Sequence, residues 1–189
     1  MEKILAVLVA AHLVADFMLQ TDTMVRQKER PAFLMLHSGI HGVLSYAALQ
    51  AWTCWQAPVF VFAAHSLIDL FKQRSGDNGA AMFIVDQVVH FASLALLAWL
   101  MVRLSWMPAY EGVGYVPLVV AAGFVAAVRG AGFLVAKVAA RLIEENDLEL
   151  DGLQNGGRMI GQLERSLIFL FILIQQPMAI GFLFAAKSI

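Results

Sequence analysis

Charge is scarce in this chain. Only 14% of its 189 residues are Asp, Glu, Lys or Arg, against about a quarter in an ordinary soluble domain, while 60% are hydrophobic and the mean hydropathy is +0.73. A chain with so little to offer water reads as an integral membrane protein. An excess of either sign is missing too. Thirteen basic and 14 acidic residues give a net charge of −1, which removes the basic footprint that nucleic-acid binding requires. Cysteine is all but absent: Cys54 has no intrachain partner and no CxxC occurs. A disulfide framework and a thiolate zinc site are thereby excluded, so any metal must be held by nitrogen and oxygen. Collagen-like, coiled-coil and disordered compositions are missing as well, and there is no low-complexity tract and no convincing repeat.

What the chain does have is apolar length. Crossing a bilayer takes ~20 apolar residues, with ~17 as a lower limit, and six segments approach that: 3–20, 32–55, 57–72, 79–103, 113–143 and 159–187. They predict an all-α, polytopic bundle of about six transmembrane helices in one domain, 1–189. The first segment resembles a signal peptide in length, but its basic flank is only Lys3 and it holds His12 and Asp16 within the apolar run, so it reads as a mature span. The third is short, which puts its outer end, near Pro58 with Trp52 and Trp55, inside the membrane.

Orientation follows from lysine and arginine. With both termini on one side, the opposite loops and helix ends carry Arg26, Lys28, Arg30, Lys72, Arg74, Lys137, Arg141, Arg158 and Arg165, against Lys3, Arg103 and Lys187. The larger set belongs in the cytoplasm. Both termini are then expected outside, which in a bacterial inner membrane is the periplasm. Trp106, Tyr110 and Tyr115 suit the outer aromatic belt, and the acidic, glycine-containing stretch 144–157 faces the cytoplasm.

The polar residues inside the spans are patterned. All five histidines occur in pairs four residues apart: His12 with Asp16, His37 with His41, His65 with Asp69, and Asp86 with His90. Each pair lies on a different one of the first four spans. Residues four apart on a helix stack on one face with Cβ atoms about 6 Å apart, the geometry by which paired helical ligands chelate metal. Counted inward from Gln20, Pro31, Lys72 and Gly79, the pairs lie 4 and 8, 6 and 10, 3 and 7, and 7 and 11 residues deep. At about 1.5 Å per residue all eight fall in one layer, roughly 5 to 16 Å below the cytoplasmic ends.

A lone histidine in a membrane helix is more often a hydrogen-bond donor to a neighbouring helix than a ligand. Four coincident pairs are harder to explain that way. A carboxylate in hydrocarbon costs at least ~2.5 kcal/mol, and three aspartates with no cation would leave three negative charges in the layer. Two divalent ions would leave it near +1. The layer is therefore expected to bind two divalent transition ions, because eight candidate ligands exceed the four to six that one such ion uses. Imidazole with carboxylate suits zinc, manganese or iron(II), with zinc slightly favoured. Gln20, Thr21, Gln73 and Gln87 are candidates to orient the ligands, or they are simply polar helix ends.

The fifth and sixth spans carry Arg129, twelve residues from Arg141 and so near mid-membrane. It needs a partner, either a layer aspartate or an anionic substrate group such as phosphate, which guanidinium grips bidentately. The small residues around it suit close helix packing. Glu164 and Arg165 enter the sixth span as adjacent residues about 100° apart on the helix, so each is expected to pair elsewhere.

The segments HLVADFMLQTD, HSGIH, HSLIDLFKQ, DQVVH and GGRMIGQLERSLIFL, with IGFLFAAKSI, resemble a bacterial inner-membrane family known only as domain of unknown function 3307. The resemblance covers nearly the whole chain. It implies a polytopic bacterial membrane protein, supplies no reaction, and implicates the eight layer residues together with Glu164 and Arg165. Because members often extend past the segment matching AAKSI, it also implies a native chain that continues beyond Ile189. A looser similarity, in HxxxD pairs on short membrane helices, is to metal-dependent hydrolases of bacterial inner membranes.

Three functions compete for such a layer. The reading favoured is a metal-dependent hydrolase whose paired ions activate water and clamp an oxyanion, acting near the cytoplasmic leaflet on a lipid-like or phosphate-bearing substrate, with Arg129, Glu164 and Arg165 as catalytic candidates. A divalent-metal transporter or sensor is the second, although eight ligands are many for a site that must release its ion. A membrane di-iron oxygenase is the third, against which histidine boxes are usually more varied in spacing. A purely structural metal accounts for what remains. The oligomeric state is not legible.

Overall fold

The computed structural model describes residues 1–27, 30–107, 109–147 and 156–187. Lys28, Asn155 and Ile189, with most of the acidic stretch, lie outside the described residues. Every described element is helical: α1 (Glu2–Val14), α2 (Asp22–Arg26), α3 (Pro31–Leu49), α4 (Gln56–Ser75), α5 (Ala80–Arg103), α6 (Tyr115–Val125), α7 (Ala131–Glu145), α8 (Gly156–Leu173) and α9 (Pro177–Lys187). A π-helical turn, Ala15–Leu19, continues α1, and another, Ala126–Gly130, joins α6 to α7. Among the described residues, three helices are long and apolar enough to cross a membrane: Pro31–Leu49, Ala80–Arg103 and Tyr115–Glu145. The third expected span is no stub, since α4 runs for 20 residues; its mean hydropathy is held down by the polar residues it carries.

Local chemistry sets the ends. Extended Gln20 stops the first helix, and the Thr21 hydroxyl accepts from the Met24 N–H at 3.3 Å, capping α2; this hydroxyl is a helix cap. Pro31 opens α3, where its missing N–H costs nothing, and left-handed Gln50 closes it. Left-handed Gly76 closes α4, the position at which the absent Cβ is most useful.

The described residues form two compact units, Met1–Gly123 and Phe124–Ile189. In the first, α1 packs on α3 and α5, and α4 packs on the same two, closing a ring of four helices. Each presents one row of residues four apart to the centre: Ile4, Leu8, His12 and Asp16; His37, His41, Ser45 and Leu49; Ala57, Val61, His65 and Asp69; Asp86, His90, Leu94 and Ala98. Fifteen of these sixteen are buried, Asp16 being the partly exposed one. Such rows are the ridges by which helices interdigitate. Chain direction alternates around the ring, so the apolar ends of all four rows meet and the polar ends meet. One half of the ring is therefore an apolar core, joined by Val7, Leu97, Met101 and Cys54. The other half holds the histidines. Outward faces are apolar: Met35, Val43, Leu67, Phe71, Val88 and Trp99 are all more than half exposed. In the histidine half, polar inside and apolar outside is the inverse of a water-soluble bundle.

At Gly42, α3 comes close to α4: a Cβ there would lie 3.0 Å from the Pro58 carbonyl oxygen. Loops tie the apolar end. The Gln50 side chain donates to the Val113 carbonyl at 2.9 Å and accepts the Val113 N–H at 3.2 Å, the Tyr110 hydroxyl donates to the Ala48 carbonyl at 3.3 Å, and the Tyr46 hydroxyl donates to the Trp52 carbonyl. The Lys3 ammonium stands 5.7 Å from the Tyr115 ring centre.

The second unit corrects the reading of 159–187 as one crossing. The helix stops at Leu173, Gln175 takes a left-handed φ of 56°, and Pro177 opens α9. The chain doubles back, so that Lys187 donates to Glu164 at 2.9 Å. The physical reason is Pro177, which has no N–H to continue the ladder and restrains the residue before it. Arg165 sits between α7 and α8. Its Nε donates to the Val128 carbonyl at 3.2 Å, within the π-helical turn, and its guanidinium fills the space left by two glycines: a Cβ on Gly132 or Gly161 would lie 2.9 or 3.0 Å from it.

Candidate metal centre

The four pairs meet at one place. Imidazole centroids of His41 and His65 are 3.6 Å apart, and those of His65 and His90 4.4 Å, His37 and His41 4.7 Å, and His12 and His90 5.0 Å. All five rings are buried. Into them reach two carboxylates. Asp16 Oδ1 lies 3.1 Å from His41 Nε2 and 3.3 Å from His37 Nε2, and its Oδ2 lies 3.4 Å from His12 Nε2. Asp69 Oδ2 lies 3.7 Å from His65 Nε2 and 3.8 Å from His37 Nε2.

Two overlapping ligand groups result. In each, one ligand atom per residue lies within 4.8 Å of every other: Asp16, His37, His41 and His65 form the first, and His65, Asp69 and His90 the second. His65 belongs to both. Four nitrogen and oxygen donors match a filled tetrahedral shell and three match a shell with an open position, so the donor chemistry fits a divalent transition ion. Several buried ring nitrogens, His12 Nε2, His65 Nε2 and His90 Nε2, have no hydrogen-bond partner among the described residues. Buried polar atoms are rarely left so.

Neighbouring groups hold the candidate ligands in place. His90 Nδ1 is 2.8 Å from the Asp86 carbonyl oxygen, which turns Nε2 toward the cluster. Gln87 donates to Asp16 Oδ2 at 3.1 Å, and Gln20 Nε2 is 3.3 Å from His37 Nε2. The π-helical turn carries Asp16, and such turns are frequent at functional sites.

Two of the eight layer residues stand apart from these groups. His12 Nε2 reaches Asp16 Oδ2 while its ring packs against those of His41, His65 and His90, and Asp86 Oδ2 accepts from Lys72 Nζ at 2.6 Å. In the sequence Lys72 counts only as a basic residue at the cytoplasmic end of the third span, and its place beside the layer comes from the structure. Its signal was present: it follows Asp69 by three residues and so lies on nearly the same face of α4. Of the other candidates, Glu164 is held by Lys187 and Arg165 by the Val128 carbonyl. Arg129 is half-buried in the second π-helical turn and, among the described residues, makes no hydrogen bond or ion pair.

Residues 4–111 match the family described as Protein of unknown function (DUF3307). This is more than half of the chain, so the chain belongs to that family. The match contains all eight layer residues and ends before Arg129, Glu164 and Arg165, so it is shorter than the whole-chain resemblance expected. Neither the curated proteins nor the solved structures contain a match.

Proposed function

We propose that this member of the family is an integral membrane metalloprotein whose ring of four helices binds two divalent transition ions, and that it is a metal-dependent hydrolase of a lipid-like or phosphate-bearing substrate. The observation that carries the reading is the convergence of five imidazoles and two carboxylates, from four helices, with unpartnered ring nitrogens among them. Asp16, His37, His41 and His65 would hold one ion; Asp69 and His90, with His65 or with water in its place, would hold the other. Zinc is slightly favoured over manganese and iron.

Divalent ions in such a site lower the pKa of bound water and polarise an oxyanion. The chain's own residues do the rest. Gln87 orients the Asp16 carboxylate, the Asp86 carbonyl orients His90, and the buried rings exclude bulk water. Lys72 offsets the charge of Asp86, so only Asp16 and Asp69 face the ions, and two divalent cations would leave the cluster near +2. A field of that sign favours an anionic substrate group. Arg165 and Glu164 already have protein partners, and the reading does not draw on them or on Arg129.

The membrane is proposed to be a bacterial inner membrane, with the N-terminus periplasmic and the histidine half of the ring toward the cytoplasm. The basic residues of the loops beyond that half support it. In a Cys54→Ser background, Asp77→Cys should be labelled from the cytoplasm and Glu111→Cys from the periplasm; the opposite pattern inverts the assignment. Element-resolved analysis of purified protein, with anomalous diffraction at the candidate edges, tests the metal. Zinc or manganese near two per chain supports the reading, iron alone moves it to an oxygenase, and a single readily exchanged ion moves it to a transporter or sensor. Metal-free, folded protein from metal-replete cells ends it.

A further inference from the structure

We propose that the groove between α4 and α5 holds the acyl chain of an anionic lipid whose headgroup carries a hydroxyl, with that head seated on Lys72 and Asp86. The proposal rests on the membrane reading above and not on the metal. The groove has a volume of about 330 Å³ and is walled by Ile68, Phe71, Met82, Val85 and Val89, with Ser75 near the helix ends, within the range of lipid- and drug-sized sites. From Ser75 to Ile68 it follows α4 for roughly 10 Å, the direction an acyl chain takes from the membrane surface.

An apolar groove facing hydrocarbon would ordinarily be filled by any lipid. This one contains an ion pair. Lys72 Nζ gives one of its three N–H donors to Asp86 Oδ2 at 2.6 Å, and a quarter of the Lys72 side chain remains exposed. Its remaining donors suit an anionic oxygen. The other Asp86 oxygen, Oδ1, on a side chain only 4% exposed, is buried without a hydrogen-bond partner, His90 Nδ1 standing 3.7 Å away. It needs a donor. A headgroup with a phosphate oxygen and a hydroxyl satisfies both atoms at once, as phosphatidylglycerol would; a phosphocholine head has the anion but no hydroxyl. Asp69 lies one turn from Lys72, and His90 one turn from Asp86, so a lipid held here lies beside the second, open ligand group.

The test uses the full chain in vesicles of three parts phosphatidylcholine to one part phosphatidylglycerol, with a trace of either lipid bearing a photoreactive group at the end of an acyl chain. The expected result is crosslinking mapped to Phe71, Met82, Val85 or Val89, with the phosphatidylglycerol probe favoured about fivefold. The double variant Lys72→Gln/Asp86→Asn, which leaves no unpaired charge behind, should erase that preference. Val89→Trp should abolish crosslinking in the groove by both probes. Equal labelling by the two lipids, or a preference that survives the double variant, overturns the proposal. Displacement of the probe by millimolar inorganic phosphate also overturns it, assigning the cation to free phosphate. Metal content measured on the same samples separates the two readings: selective crosslinking without bound metal removes the metal reading and keeps the groove, and bound metal with unselective crosslinking does the reverse.

Discussion

The two halves of the four-helix ring are built on the same rows of residues and are held together by different means. In one half, Ile4, Leu8, Leu49, Ala57, Val61, Leu94 and Ala98 fill the centre, and nothing beyond the chain is needed, because apolar side chains are satisfied by close packing. In the other half the same rows deliver His12, Asp16, His37, His41, His65, Asp69, Asp86 and His90, and several of their polar atoms face one another without partners. An identical scaffold is thus filled by apolar side chains at one end and by imidazoles and carboxylates at the other. The difference teaches that the polar half joins the helices through interhelical contacts such as those of Asp16 with His41 and Gln87, at a higher cost of burial than the same rows filled with Leu and Ala.

The comparison breaks first at Asp16. Asp16→Ala removes a carboxylate whose two oxygens face His37, His41 and His12, and bound metal should fall from near stoichiometric to background by elemental analysis, with the chain still inserted. Retention of full metal content by this variant would make the cluster a plain hydrogen-bonded core. In the apolar half, Leu97→Ala, at a fully buried position, should cost about 2 to 5 kcal/mol, read as reduced resistance to unfolding in detergent, while metal content stays unchanged. Equal loss of metal would mean that the halves are not separable.

Smaller effects sharpen the contrast. Gln87→Ala, which deletes the donor to Asp16 Oδ2, should weaken metal affinity by about 10- to 100-fold, measured by competition with a chelator, with little change in unfolding. Gly42→Ala places a Cβ 3.0 Å from the Pro58 carbonyl oxygen and should cost about 1 kcal/mol. It should loosen α3 from α4 and hardly change how much metal is bound, which elemental analysis and thermal unfolding on one sample would show.

The meeting of the four pairs was legible in the sequence because a spacing of four is a local fact: if the spans are helical, each pair must share a face, and a common depth brings the faces together. Other features could not be read that way. The Lys72 to Asp86 ion pair joins two helices across fourteen positions, and no periodicity encodes it. The widened turns at Asp16 and Arg129 leave the apolar pattern undisturbed, because they add a backbone step without changing which residues are hydrophobic. The reversal at Gln175 was hidden for a related reason. Ile174 and the residues after Pro177 continue the apolar run, so hydropathy saw one long segment where the backbone makes two short ones.

The seat of Arg165 carries a consequence for how this sequence can drift. Its guanidinium occupies space that a methyl group on Gly132 or Gly161 would enter, and it is the donor that the Val128 carbonyl receives in the widened turn. A methyl at either glycine would push the flexible tip of Arg165 away and strand that carbonyl, whereas a shorter side chain at 165 would leave both glycines facing an empty notch. These three positions are therefore expected to change together among relatives or not at all, and a homologue with alanine at both glycine positions should be found to have given up the arginine and to have regularised the turn.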